Sequence, residues 1–506
     1  MTDLPRGPQA DDPRALPSRS DLERAALRPP DEERVLRRSE LILPLGIGAA
    51  LRLILVAAFL GIDMAGDEAA YIRLGWCWEE FGAYTGMWAP FYPKLTAWCY
   101  GIWGDGAGDA MRLLHIVLAV WTGFWVAVTA DMFGGRRAAL TAAWIFALYV
   151  PLAGFCAQLY SETLYLALFV PALYQLLRYA REGRIAAPWW RPVLAGSLVG
   201  LATLTRESGM VFIPPLALWV LFALRGRRTV KQAGRFRLTT WARGAGPLAY
   251  APAAMFALSA ALCVLPWTAR NAHNYDRFVP VATSTGGSSY IGWNAYDINY
   301  DLVGLSESVT QAPGRLRARI RGDAPPPWEA SRETNHADRA SANLRSGLVY
   351  AAEHPVFFAR SRVVEFIDLV SPLSFLVRAQ RIAPVGEPLD SPLLARVTAL
   401  SAVFSVPLLL LLALWGWAYA RDAGPLRTLS AAIVLATIAT AFVSGLSRYR
   451  VPAIPLLIVL AALYLAGQRE KPPVLRATMA STVAVILVLA WIPSLGPTRL
   501  ALSAIW

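Results

Sequence analysis

Long apolar runs, broken by short stretches where arginine, glycine and proline concentrate, set the rhythm of this chain. The first run covers about 41–62, and a second begins near Met111 and ends before Asp131. Further runs follow near 138–153, 157–177, 192–205, 208–224, 247–266, 394–418, 427–446, 449–467 and 476–493. Stretches of roughly 17–25 residues with almost no charge are long enough to cross a bilayer as helices. A water-free interior leaves only helices or closed barrels as spanning structures. The apolar positions here are continuous rather than alternating, so the pattern predicts an all-α integral membrane protein with about eleven transmembrane helices.

Two long segments interrupt the rhythm. The first, 63–110, is aromatic-rich with scattered polar residues and predicts helices lying in the interface. The second, 267–393, has mixed charge and several prolines. Residues 1–40 are rich in Pro, Asp, Glu and Arg, a composition that cannot offset the entropy of ordering and reads as a disordered tail rather than a signal peptide. The chain thus divides into a tail (1–40), an N-terminal transmembrane half (41–266), an external segment (267–393) and C-terminal transmembrane helices (394–506).

Composition sharpens this picture. Of 506 residues, 56% are hydrophobic, and the mean hydropathy is +0.41. The formal net charge of +13 does not point to nucleic acid, because the basic residues gather in short connections such as Gly134–Arg137, Arg178–Arg184 and Arg225–Arg243. By the positive-inside rule these connections and the tail lie in the cytoplasm, where they meet anionic lipid. Both interrupting segments and the C-terminus then lie outside. No inverted repeat of the transporter type is visible. Four histidines are too few and too scattered for a histidine-rich metal centre. Cys77 and Cys99 share the first external segment, where small apolar filler is favoured over a disulfide.

Candidate chemistry concentrates after the first span, in Gly61–Gly75, which holds Asp63, Asp67 and Glu68. Carboxylates at a membrane surface are solvated, paired or used. Over 67–82, Tyr71, Leu74, Trp78 and Phe81 recur at spacings of three and four and share one helical face. Asp67 leads that stripe. It reads either as a helix N-cap or as a general base whose pKa burial would raise.

A second group consists of arginines at external helix ends: Arg206, Arg270, and Arg448 and Arg450 flanking Tyr449. Few cations are expected there, and guanidinium groups suit phosphate oxygens; snorkelling to lipid headgroups is the plainer account of any single one. Lys94, after Pro90–Pro93, adds a point charge. Glu162, at the start of an apolar run, reads as a solvated helix-end acid. Asn271, Asn294 and Thr283–Ser289 offer hydrogen bonds to sugar hydroxyls, although the last also reads as a plain polar loop.

Taken in order, Gly66-Asp-Glu-Ala-Ala-Tyr71, Leu204-Thr-Arg-Glu207, Pro266-Trp-Thr-Ala-Arg-Asn271, Arg277-Phe-Val-Pro280, Gly292-Trp-Asn294 and Ser447-Arg-Tyr-Arg-Val-Pro-Ala-Ile-Pro455 resemble the GT-C superfamily of polytopic glycosyltransferases. The resemblance is to its protein-mannosyltransferase-like branch, which also holds the lipid A aminoarabinose transferases. It implies a GT-C-type bundle, a polyprenyl-phosphate-linked sugar donor, and transfer on the external face. It also implies that Asp67, with Glu68 beside it, is the base that deprotonates the acceptor. The cations holding the donor phosphate map onto Arg270, Arg448 and Arg450, with Lys94 as a further one. One position departs: Lys94 follows Pro93, not an acid, so neither aminoarabinose nor a two-acid mechanism is carried over.

A base on the acceptor and cations on the leaving phosphate suit direct displacement with inversion. The expected acceptor is lipid A, an envelope polysaccharide or a protein hydroxyl, and the expected location a bacterial inner membrane. Some relatives hold a divalent metal on acidic residues; metal independence is the favoured expectation here. The alternative function is a transporter or flippase of polyprenyl-phosphate sugar or lipid, and a membrane scaffold comes third.

Overall fold

A helix in lipid satisfies its backbone amides internally, and the apolar runs take that route. A computed structural model describes residues 36–60, 67–82, 84, 86–183, 187–223, 250–284, 293, 320, 328–329, 331–372, 392–443 and 447–503. Most of the expected tail and much of the 267–393 segment lie outside these described residues. Among the described residues there is no strand, only one isolated antiparallel bridge between Ala420 and Arg469.

A short 3-10 turn, Arg38–Leu41, leads into α1 (Ile42–Ala58). Two helices then occupy the first interrupting segment: α2 (Asp67–Phe81) and α3 (Phe91–Trp103). The long α4 (Ala107–Leu148) and the short α5 (Val150–Ala157) precede α6 (Glu162–Glu182), α7 (Trp190–Thr205), α8 (Ile213–Ala223) and α9 (Ala251–Tyr275). In the second interrupting segment stand α10 (His336–Glu353) and α11 (Pro355–Val370). The chain closes with α12 (Pro392–Tyr419), α13 (Gly424–Thr440), a 3-10 turn (Ser447–Ala453), α14 (Ile454–Leu465) and α15 (Val474–Ser503).

Six stretches among the described residues are long and apolar enough to cross a membrane: Arg38–Ala58, Phe91–Leu148, Ala251–Tyr275, Arg396–Tyr419, Ser447–Leu465 and Val474–Ser494. Glu207–Phe222 and Gly424–Thr440 are apolar but shorter. The chain is therefore a multi-pass membrane protein, and length with composition alone does not establish eleven crossings.

Three boundaries differ from the sequence pattern, each for a local reason. The runs expected at 111–130 and 138–153 form one helical stretch, broken at Gly135, whose φ of 65° and ψ of −166° suit a residue without Cβ. The run expected at 157–177 is interrupted: α5 ends at Ala157, Gln158 is extended, and α6 starts at Glu162. The run expected at 449–467 begins as a 3-10 turn around Pro452 before α14 starts.

The core is built from small side chains. Ala130, Ala138 and Ala142 of α4 are 0% exposed, as are Ala461 and Ala462 of α14, letting backbones approach closely. α6 is buried on nearly all sides from Glu162 to Ala180, the mark of a central helix. α2 lies on α3, where a Cβ on Gly75 would stand 2.7 Å from the Thr96 side chain; only glycine allows that approach. At one end of the bundle Arg136 pairs with Glu40, Gln468 donates to the Gly134 carbonyl, and Arg427 and Arg476 share Glu470. The breaks at 158–161, 206–212 and 447–453 lie at the opposite end, beside the start of α2.

Candidate active site

The interrupted backbone between α5 and α6 explains why side chains converge there. Helix ends and extended residues leave amides and carbonyls that need partners. Glu68 Oε1 accepts from the Leu159 N–H at 2.8 Å. Arg112 Nε donates to the Ala157 carbonyl at 2.9 Å while its Nη1 meets Asp109. Tyr71 donates its hydroxyl to Ser161 Oγ at 3.2 Å and packs edge-on against Trp88 and Tyr92. These contacts fix α2 against the start of α6.

Two carboxylate–arginine pairs then close the site. Asp67, the first residue of α2, meets Arg448 Nη1 through Oδ2 at 2.5 Å. Glu162, the first residue of α6, meets Arg206 Nη1 through Oε1 at 2.5 Å. Arg206 also donates to Ser161 Oγ at 3.2 Å. The Tyr449 ring lies between the two arginines, its centroid 6.0 Å from Arg206 Cζ and 5.9 Å from Arg448 Cζ. Arg448 also faces the Tyr160 ring at 5.6 Å. A cleft lined by Glu162, Tyr165, Arg206, Arg448 and Tyr449 opens here.

The two neighbouring acids of α2 play different parts. Asp67 is about a third exposed and reaches the cleft arginine. Glu68 turns to the Leu159 amide, and burial pushes its carboxyl above the usual value, partly offset by that hydrogen bond and by Arg112. Burial likewise raises the Tyr71 and Tyr160 hydroxyls.

A second group brings α2 and α3 together with the end of α9. Lys94 Nζ stands 4.9 Å from the Trp78 ring, and Trp78 stacks on Tyr84 with centroids 4.4 Å apart. Arg270 lies 4.6 Å from the Trp267 ring and donates to the Tyr84 carbonyl at 2.6 Å and to Asn271 Oδ1 at 3.1 Å. Asn271 is fully buried and gives its amide protons to the Val279 and Val281 carbonyls, at 3.2 and 3.0 Å. It shapes the turn after α9. Arg450 holds the end of α11 through the carbonyls of Leu369, at 3.1 Å, and Ser371, at 2.6 Å.

The sequence-selected residues therefore separate. Arg206, Arg448 and Tyr449 line one cleft, and Asp67 joins it through Arg448; Tyr71 and Glu68 brace the break before α6; Lys94 and Arg270 belong to the aromatic group; Asn271 and Arg450 brace backbone. Asp63 and Asn294 lie outside the described residues. Glu162 corrects the sequence reading: expected to be solvated, it is 1% exposed and paired. Its signal was an acid at the head of an apolar run, the place where burial demands a partner. Among the described residues no group of three or more His, Cys, Asp or Glu side chains is arranged to hold a metal. Asp67 and Glu68 turn to different partners, and all four cysteines are free.

The site thus joins the start of α2 to three breaks in a polytopic helical bundle. Residues 88–267 match the family model of dolichyl-phosphate-mannose-protein mannosyltransferase. The archaeal oligosaccharyltransferase AglB from Archaeoglobus fulgidus, in complex with an inhibitory peptide and a dolichol-phosphate, superposes with a TM-score of 0.50 at 16% identity, over 92% of this chain and 55% of that one. What is shared at that identity is the fold, and this chain spans about half the length of the oligosaccharyltransferase. ArnT from Cupriavidus metallidurans, bound to undecaprenyl phosphate, superposes with a TM-score of 0.37 at 11% identity, over 84% and 77% of the two chains. No curated protein matches the chain. The chain thus resembles the GT-C superfamily of polytopic glycosyltransferases.

Proposed function

We propose that this protein transfers a sugar from a polyprenyl-phosphate donor to a hydroxyl or amine of an envelope acceptor, on the external face of the membrane. In a bacterial cell that face is periplasmic. The observation that carries the reading is the Asp67–Arg448 pair at the mouth of the cleft. A carboxylate and a guanidinium are the two groups an inverting transfer needs on opposite sides of the anomeric carbon, and here they meet as a pair that separates to admit the sugar. Arg448 takes the donor phosphate in place of Asp67, since guanidinium binds phosphate and carboxylate by the same geometry. Asp67, released, accepts the proton of the acceptor as its oxygen or nitrogen attacks. The bond from the anomeric carbon to the phosphate oxygen breaks, and the lipid phosphate leaves with its electron pair. Charge stabilisation and positioning supply most of the acceleration, because the phosphate already leaves readily. Lys94 and Arg270 add positive field along the approach.

The test uses proteoliposomes of the full chain with a labelled polyprenyl-phosphate sugar and an envelope fraction as acceptor. Label reaches the acceptor with the wild type and not with Asp67→Asn. An Asp67→Asn protein that folds and still transfers overturns the base assignment. Movement of intact labelled donor between leaflets, without consumption, makes the protein a transporter instead.

A further inference from the structure

Each arginine of the cleft has a carboxylate, but a deeper one has none. Arg52 sits in α1, within a membrane-crossing stretch, at 1% exposure. Its Nη1 donates to the carbonyls of Gly48, at 2.9 Å, and Ala147, at 3.2 Å, and its Nη2 to that of Phe146, at 3.2 Å. The Phe146 ring lies 5.0 Å from Cζ. The Nε–H has no hydrogen-bond partner among the described residues. A buried cation in hydrocarbon surroundings requires an anion or a polar cavity.

Arg52 borders such a cavity, which it lines together with Thr122, Phe155, Thr163 and Glu162. Glu162 is equally buried; its Oε1 lies against Arg206, and its Oε2 has no hydrogen-bond partner. Two opposite charges, each with an unused hydrogen-bonding atom, therefore line one small cavity. The Thr122 and Thr163 hydroxyls donate to the carbonyls of Leu118 and Phe155, which leaves their oxygens free to accept. Donor, acceptor and hydroxyl together supply the two to four polar partners that hold a buried water.

We propose that Arg52 is a positioning residue of the cleft. Through water held in this cavity it anchors the Glu162 carboxylate, and Glu162 in turn sets the Arg206 guanidinium beside Tyr449. The effect on ligand binding rests on the reading of the cleft as a phosphate site. The coupling of Arg52 to Glu162 does not.

A double-mutant cycle on the full chain in detergent separates the two. Arg52→Met, Glu162→Gln and the pair are compared for undecaprenyl phosphate affinity and for melting temperature. Arg52→Met should weaken undecaprenyl phosphate binding about tenfold, the size expected for residues sharing one network. Glu162→Gln should do the same, the pair should be no worse than either alone, and Arg52→Lys should recover most of the affinity. Additive losses, or unchanged affinity in Arg52→Met, overturn the proposal. If the wild type does not bind undecaprenyl phosphate, the phosphate reading of the cleft fails. The melting temperatures then decide for Arg52: non-additive shifts support the coupling and additive shifts overturn it. Should Arg52→Met not fold, Arg52→Gln carries the same cycle.

Discussion

Two sets of cations stand near each other in this protein and are held in different ways. Arg448 and Arg206 each lie against a carboxylate, Asp67 and Glu162. Lys94 and Arg270 rest on the rings of Trp78 and Trp267, and among the described residues neither has a carboxylate partner. The first set is locally neutral, so an anion enters only by exchange. The second keeps its charge and attracts anions without giving anything up. Exchange couples events: whatever takes Arg448 frees Asp67. Attraction sets only how readily a ligand arrives.

The strongest way to break this distinction is Asp67→Asn. Transfer should fall by about 100-fold or more, as for loss of a general base. Affinity for undecaprenyl phosphate should rise, because Arg448 loses its internal competitor. A fall in affinity would remove Arg448 from the phosphate site. Next, Arg448→Met should weaken the same binding by about tenfold to a hundredfold, the loss of a charge-assisted hydrogen bond. Equilibrium binding to the purified protein reads both outcomes.

A smaller effect is expected in the aromatic set. Lys94→Met and Arg270→Met should each raise the donor KM about fivefold with kcat nearly unchanged, since part-exposed charges contribute on the order of 1 kcal/mol. A kcat loss as large as that of Arg448→Met would erase the difference between the two sets.

The smallest effect concerns Glu68. Burial raises its folded pKa above the usual value of 4.5, so its contribution to stability is full below that value and is lost as pH rises through the raised one. Glu68→Gln keeps an oxygen for the Leu159 amide and removes this loss. The melting temperature of the variant relative to the wild type should therefore increase from acidic pH to about pH 8, by a few degrees. A pH-independent difference would show that Glu68 is not the group that titrates.

Much of this was legible in the chain. The spacing of Tyr71, Leu74, Trp78 and Phe81 predicted a helix over 67–82, and α2 runs Asp67–Phe81. The unusual arginines at expected outer helix ends selected Arg206 and Arg448. What stayed hidden depends on which distant segments adjoin. The break at 158–161 falls a few residues past the gap the apolar pattern drew between 153 and 157, because Gln158, Ser161 and Glu162 are too few polar residues to fix the boundary. Glu162 looked solvated because its partner is 44 residues further on, in Arg206. Arg448 and Arg450 are two residues apart, yet the 3-10 turn sends one to Asp67 and the other to the end of α11.

The Asp67–Arg448 contact joins residues 381 positions apart. A ribosome therefore releases Asp67 and its neighbouring helices long before their counter-charge exists. Through most of synthesis the acid has no partner of its own, and the cleft takes shape only once the turn before α14 is in place. The segment that matches the mannosyltransferase model, 88–267, contains neither partner. A chain ending anywhere before Ser447 should insert its early helices and yet hold no competent cleft. Loss of the chain from Ser447 onward would thus disable the site as surely as loss of α2.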